Sequence, residues 1–175
     1  YGELNAPIVK NLSLSAAARA DHYSDFGSAF SPKLGLRYQP LQSLTLRGTL
    51  SKGFRAPSLP EITHSTAVSY GSVQDPYDPI TPNQSIGFTH LVVANPAIKP
   101  EHSTNANLGL VLSPTADSSI AIDYYRIRQK DVIGLEDIDN LVRNPGAYPG
   151  QIVRDSQGRL QTITQQFTNL GNRET

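Results

Sequence analysis

The chain contains no cysteine. A disulfide scaffold, a thiolate metal site and a cysteine nucleophile are therefore excluded. The absence says little about compartment, since proteins of oxidising compartments can lack disulfides. Net charge is missing too: 15 Lys and Arg balance 15 Asp and Glu. With no basic run and no nucleic-acid motif, a nucleic-acid partner is not expected. No apolar stretch approaches the roughly 20 residues a membrane helix needs. Apolar residues are only 38% of the chain, which suits strands with one apolar face better than a thick core. G-x-S-x-G, P-loop and G-x-G-x-x-G motifs are absent, and no enzyme is expected. The first residues, Tyr1-Gly2-Glu3-Leu4-Asn5, lack the basic and apolar regions of a signal peptide. Both ends read as cuts in a longer chain.

What the chain does have is period-two alternation. Leu12, Leu14, Ala16, Ala18 and Ala20 alternate with Asn11, Ser13, Ser15, Ala17, Arg19 and Asp21. Leu34, Leu36 and Tyr38 alternate with Lys33, Gly35 and Arg37. Leu44, Leu46, Gly48 and Leu50 do so with Thr45, Arg47, Thr49 and Ser51. Ala106, Leu108, Leu110 and Leu112 follow the same rule, as do Ile120, Ile122 and Tyr124 against Asp123 and Tyr125. Such alternation marks strands with one apolar and one polar face. Weaker candidates are residues 1–7 and 161–169. The runs 10–23, 43–54 and 103–113 reach the 9–11 residues of a tilted transmembrane strand, whereas ordinary soluble strands run about 5–6. The fold class expected is all-β: an antiparallel up-and-down transmembrane β-barrel segment of about seven strands.

In such a barrel the apolar faces meet lipid and the polar faces meet the lumen. Arg19, Asp21, Arg37, Arg47, Asp123 and Tyr125 are the lumen-facing candidates. A soluble β-sandwich makes the opposite demand and puts Leu12, Leu34, Leu46, Leu108 and Ile120 in a dry core. Links are expected to be short at 8–11, 39–42 and 113–118, and long at 24–30, 55–101 and 134–159. Short and long alternate, as periplasmic turns and extracellular loops do in outer-membrane barrels. Tyr38 falls at the short-turn end, and Tyr23 and Phe54 fall at the other, as interfacial aromatics would.

Two motifs are more specific. Lys52-Gly53-Phe54-Arg55-Ala56-Pro57-Ser58-Leu59-Pro60-Glu61-Ile62 closes one strand, and Asn95-Pro96-Ala97-Ile98-Lys99-Pro100-Glu101 opens the next. They resemble the GFRAPSL…E and NPxLKPE elements that flank a long extracellular loop in TonB-dependent receptor barrels. Stretches 1–7, 19–27 (RADHYSDFG), 31–38, 123–127 and 167–171 resemble the same family, so the likeness covers nearly the whole chain. It implies a barrel of about 22 strands, an N-terminal plug and a TonB box, neither of which is expected in these residues. It also implies these partners: outer-membrane lipid, the receptor's own plug, the TonB complex and an extracellular small-molecule or metal-chelate ligand. The location implied is the outer membrane of a Gram-negative bacterium, and the commonest cargo class is the ferric siderophore. A passive porin-like barrel and a soluble carbohydrate-binding sandwich are the alternatives.

The prolines of the motifs end strands and fix chain direction. Arg55 keeps the parity of Arg47, so it is expected to reach loop carbonyls or a plug carboxylate. His64, Tyr70, Tyr77, His90, Arg143 and Tyr148 join Arg55 as ligand-contact candidates, because loop aromatics among polar groups suit ringed or hydroxylated ligands. His22, His64, His90 and His102 lack ligand spacing, and neither a metal nor a cofactor is expected. Asp75, Asp78, Glu136, Asp137 and Asp139 read as solvated loop carboxylates.

Overall fold

The computed structural model describes residues 1–24 and 26–175. Of the motif 19–27, Asp25 lies outside the described residues. The chain begins with β1 (Gly2–Val9), β2 (Leu12–Tyr23), β3 (Gly27–Leu41) and β4 (Leu44–Arg55). A one-turn helix α1 (Leu59–Ile62) precedes β5 (Thr66–Asp75) and β6 (Gln84–Val93). The strands β7 (Glu101–Thr115), β8 (Ser118–Lys130) and β9 (Ile133–Gly134) lead to helix α2 (Ile138–Arg143). β10 (Ile152–Arg154), β11 (Leu160–Gln166), β12 (Thr168–Asn169) and β13 (Arg173–Glu174) complete the order. These divide into two compact units: residues 1–56, 100–132 and 171–175, and residues 57–99 and 133–170.

The first unit is one seven-stranded antiparallel sheet in the order β1-β2-β3-β4-β7-β8-β13. Its hairpins turn through Lys10-Asn11, Gln42-Ser43 and Ala116-Asp117, with a register shift beside each turn. Pro7, Pro40 and Pro114 sit at those shifts, where the ladder is already interrupted and a missing N–H costs least. Between the shifts, every pair joins odd residue to odd and even to even: Arg37 faces Arg47, Arg47 faces Gly109, Gly109 faces Asp123. Opposed residues point to the same side of a sheet. The even face therefore gathers Leu14, Leu36, Leu108 and Tyr124 in one row and Leu46, Leu110 and Ile122 in the next. The odd face gathers most of the charged and hydroxyl side chains, although Lys52, Arg126, Arg128 and Lys130 stand on the even one.

Among the described residues, nothing packs against the apolar face. Leu34 is 50% exposed, Leu46 38%, Leu108 65% and Ile120 57%, and Leu12 is half-buried. The soluble sandwich required these residues to be dry, and within this chain they are not.

The expected strands correspond to β1–β4, β7 and β8, with two corrections. The link at 24–30 is not long, because β3 already begins at Gly27. The candidate at 161–169 is not a wall strand. It supplies β11 of the second unit, and the seventh wall strand is the short β13. The stretch Leu160 to Gln166 buries Leu160, Ile163 and Gln165, a spacing that serves a small core rather than a lipid face.

The long links at 55–101 and 134–159 form most of the second unit, which has secondary structure of its own. It holds a four-stranded sheet, β10-β11-β6-β5, in which β11 runs parallel to β6. Parallel pairing needs a long crossover, and residues 94–159 supply it. Val73, Phe88, Leu160 and Ile163 on this sheet pack with Leu141 and Val142 of α2. Asp137 caps α2 by accepting from the Asn140 N–H at 3.0 Å, and Arg143 sits in its last turn, both favourable to the helix dipole. Ile163 is fully buried. Ile163→Ala is expected to cost this unit roughly 2–5 kcal/mol. Hydrogen exchange of the β6 and β11 amides should accelerate while β2 to β4 stay protected; unchanged protection in β6 would refute this core.

Candidate functional site

The lumen-facing candidates all fall on the odd face. Arg19 donates to Asp21 at 2.8 Å, two residues along the same strand. Arg37 and Arg47 stand directly opposite one another, which is unfavourable for like charges. Each has another partner: Arg37 donates to Gln39 Oε1 at 3.0 Å, and Arg47 pairs with Asp123 at 2.7 Å. The second pair reaches from β4 to β8 across β7. The residue beneath it is Gly109, where a Cβ would come within 2.6 Å of Arg47 Nε. Glycine is needed there so that the guanidinium can cross. Tyr125 lies opposite Asn107 in the adjacent odd row. A ring cluster of Tyr23, Phe26 and Phe54 forms at the sheet end away from the two-residue turns, with centroids 4.4 and 5.8 Å apart.

The two motifs meet through their ends. Gly53 faces Ser103, Phe54 faces His102, and Arg55 faces Glu101 in the β4–β7 ladder. Arg55 Nη2 donates to Glu101 Oε1 at 2.8 Å. Arg55 thus pairs with a carboxylate of the neighbouring wall strand, where a loop carbonyl or a plug carboxylate was expected. After Ala56 and Pro57, Ser58 and Glu61 cap α1 reciprocally, a capping box. Asn95 Nδ2 donates to the Phe167 carbonyl at 3.0 Å, and Asn95 Oδ1 receives the Ala97 N–H across Pro96. Lys99 donates its backbone N–H to Asn169 Oδ1 at 3.0 Å and accepts from Asn169 Nδ2 at 2.9 Å, just before Pro100.

The second unit corrects the reading of its carboxylates. Asp75 and Asp78 are 0% and 2% exposed, not solvated. Arg154 holds Asp75 with two bonds of 2.6 and 3.0 Å, and Arg159 reaches Asp78 at 3.3 Å. The bond to Asp75 raises the Arg154 pKa above its ordinary value. Asp78 Oδ1 also accepts the Thr81 N–H at 2.7 Å and the Ile80 N–H at 2.9 Å. The Thr81 N–H foremost, then Ile80 and Arg159, hold the Asp78 carboxyl at a pKa of about 2 against the cost of burial. The available hint was that each aspartate precedes a proline, Asp75-Pro76 and Asp78-Pro79, a turn-initiating dipeptide. The paired arginines lie about 80 residues on and carried no signal.

The ligand-contact candidates separate. Tyr70 is 84% exposed on β5, and His64 is exposed just before it. Tyr77 donates its hydroxyl to the Arg143 carbonyl at 3.0 Å. Tyr148 packs against the small core, and its hydroxyl accepts from Asn140 at 2.9 Å; burial, with Glu136 nearby, raises its pKa. His90 has Ser69 Oγ at 3.2 Å and Gln165 Oε1 at 2.6 Å on its two ring nitrogens. Gln165, buried and bonded to the Glu136 carbonyl, was not foreseen. Tyr77, His90, Arg143 and Tyr148 thus help to build the unit, whereas Tyr70 and His64 face outward.

A sheet of long strands with an uncovered apolar face and a charged, hydroxyl-rich opposite face is the wall of a membrane β-barrel. The family model for the TonB dependent receptor-like β-barrel matches residues 1–175, and the chain belongs to that family. It is 28% identical over 126 residues to the iron-regulated outer membrane virulence protein of Vibrio cholerae, covering 72% of this chain and 17% of that protein. It is 26% identical over 151 residues to the ferric enterobactin receptor of Pseudomonas aeruginosa, covering 85% and 19%. Among solved structures, the siderophore receptor PirA of P. aeruginosa matches 98% of this chain with 28% of its own, at TM-score 0.69 and 20% identity. A P. aeruginosa ferric enterobactin receptor variant in complex with enterobactin matches at TM-score 0.70 and 21% identity, over 98% of this chain and 22% of that one. The chain therefore spans less than a third of these relatives.

The Asp78 geometry sets a pH dependence. Its folded pKa lies below the unfolded value of roughly 3.9. Its contribution to stability is thus complete above that value and is lost as pH falls toward about 2. Protection of the Ile80 and Thr81 amides, corrected for intrinsic exchange, should decline across that window. Asp78→Asn should flatten the decline; an unchanged profile would remove Asp78 as its source.

Proposed function

We propose that this chain is part of the wall and outer loops of an outer-membrane transport receptor that captures a ferric siderophore and imports it with TonB-derived energy. The observation that carries the reading is the two-faced wall sheet, in a chain whose whole length matches the receptor barrel family. The plug, the remaining strands and the TonB contact belong to other parts of a longer protein. The chain carries out no catalysis in this reading. Its even face meets outer-membrane lipid, and Arg19, Asp21, Arg37, Arg47, Asp123 and Tyr125 line the lumen beside the plug. The two-residue turns face the periplasm, and the second unit faces the extracellular medium. Relatives whose names specify ferric enterobactin or a siderophore support that cargo class.

Within the second unit, Tyr70 is the leading ligand contact, and His64, exposed ahead of the same strand, is the second. Tyr70 extends from the sheet face opposite the small core, along with Ser72 and Thr89. An exposed aromatic flanked by hydroxyls suits a catecholate or hydroxamate shell. Arg55, Tyr77, His90, Arg143 and Tyr148 contribute by holding the loops in place.

Two measurements test the proposal on the full-length protein. Leu36→Arg on the even face should destabilise the membrane-folded barrel by roughly 2–4 kcal/mol, and Thr49→Arg on the odd face by much less. The reverse order, read by urea titration in lipid vesicles, would sink the membrane-wall reading. Tyr70→Ala should weaken binding of ferric enterobactin by roughly 2- to 12-fold, the equivalent of one aromatic contact. An unaltered fluorescence titration would take Tyr70 out of the site.

A further inference from the structure

The small sheet of the second unit has two edges, β10 and β5, and the sequence treats them differently. β10 is three residues long, carries Arg154 and shifts register against β11, which are ordinary means of blunting an edge. β5 has none of these. It pairs with β6 over ten residues without a shift, and from Thr66 to Gln74 it holds no proline and no charged side chain. Residues 66–72 are all exposed.

Hydrogen-bond phase shows what this edge presents. The Ala94 N–H donates to the Ser65 carbonyl at 3.1 Å, so Ser65 and Ala94 form a bonded pair at the end of the β5–β6 ladder. Bonded pairs alternate along an antiparallel ladder. Ala67, Ser69, Gly71 and Val73 therefore turn their backbone groups to β6. Thr66, Val68, Tyr70, Ser72 and Gln74 turn theirs away, where no other strand pairs with β5 among the described residues.

This edge is complementary to itself. Antiparallel pairing about a two-fold axis at Tyr70 sets Tyr70 opposite Tyr70, Val68 opposite Ser72 and Thr66 opposite Gln74. Every outward N–H and C=O of both copies then finds a partner, and the exposed face continues across the junction because opposed residues share a side. No charge meets a like charge. An axis at Gly71 would set Thr66 against Pro76, which has no N–H, and an axis at Ser69 would carry Gln74 past the start of the strand to His64. A strand edge alone is smaller than the roughly 1,200–2,000 Å² of a lasting interface. Copies confined to one membrane lose less freedom on pairing than a free peptide does, so a second copy is the occupant that so small an edge can hold.

We propose that β5 is a self-association edge: two copies of the receptor join their loop units by antiparallel β5–β5 pairing centred on Tyr70. The pairing is reversible and rises with receptor density. It rests on the reading that the wall holds each copy in a membrane, and it goes beyond the transport function by assigning an assembly contact to the loop unit.

The test uses the full-length receptor in lipid vesicles under mild oxidation, read on a non-reducing gel. Opposed bonded residues lie about 5.5 Å apart at Cα, within disulfide reach. Tyr70→Cys should give a linked dimer that the wild type does not. Ser72→Cys alone should give roughly tenfold less, because its two copies stand about 13 Å out of register. Mixed Val68→Cys and Ser72→Cys receptors should link again. Adding Ser72→Pro to Tyr70→Cys should cut the yield roughly tenfold, since that residue gives its N–H to the edge and not to β6. A missing Tyr70→Cys dimer overturns the proposal, as does equal linking by Ser72→Cys alone, the mark of random collision. Should the Ser72→Pro variant fail to fold, judged by heat-modifiable gel mobility, charge decides. Tyr70→Lys copies should associate roughly three- to tenfold less, by energy transfer between labelled copies, than Tyr70→Lys mixed with Tyr70→Glu; equal association overturns the pairing. Slow hydrogen exchange of the Val68, Tyr70 and Ser72 amides at every dilution, without a dimer, assigns the edge to another segment of the same receptor and also overturns it. Membrane partition of the same sample separates the two readings. Protein in the aqueous fraction defeats the membrane wall itself, whereas membrane protein without the Tyr70→Cys dimer defeats this pairing alone.

Discussion

Hydrogen-bonded register is the constraint on which the wall depends. Between the register shifts, odd residues meet odd residues through β1–β4, β7 and β8, so each strand adds its apolar side chains to the same face. A slip by one residue in any hairpin would reverse that strand and turn its leucines onto the charged face. Turns of two residues leave little room for such a slip. The irregularities that do occur lie beside those turns, where Pro7, Pro40 and Pro114 also gather. The ladder interruptions are thus kept at one end, and the middle of the sheet stays continuous. Continuity matters because a backbone polar group left unpaired in hydrocarbon costs several kcal/mol.

The charges of the odd face follow from the same register. Pairing brings Arg37 and Arg47 together, and the repulsion is relieved by giving each its own partner. The Arg47–Asp123 contact then requires a gap in the side-chain layer of β7, and Gly109 is that gap. Arg55 and Glu101, the last opposed pair of β4 and β7, close the ladder where the chain departs for its long insertion. Contacts of this kind are weak when solvated. Here they act in number along one face, and they position backbone more than they stabilise it.

The second unit is organised differently. Its sheet is small, so a few residues carry it: Leu141, Val142 and Ile163 are fully buried, and the aspartates of the Asp75–Asn83 turn are anchored by arginines. Removing either arginine would leave a buried carboxylate without its counter-charge, the costly half of such a pair. Tyr70 stands exposed on the face of this sheet away from its core.

Alternation in the chain determined the strands and their two faces by itself, because a period of two is local and each strand announces its own faces. Leu12, Leu34, Leu46, Leu108 and Ile120 were legible as one apolar face, and Arg19, Asp21, Arg37, Arg47 and Asp123 as one polar face. The two motifs around residues 55–101 supplied the family for the same reason, being contiguous. Tertiary structure decided what depends on distant partners. The parallel pairing of β11 with β6, the burial of Asp75 and Asp78 by arginines some 80 residues away, and the role of Gln165 beside His90 have no local signature.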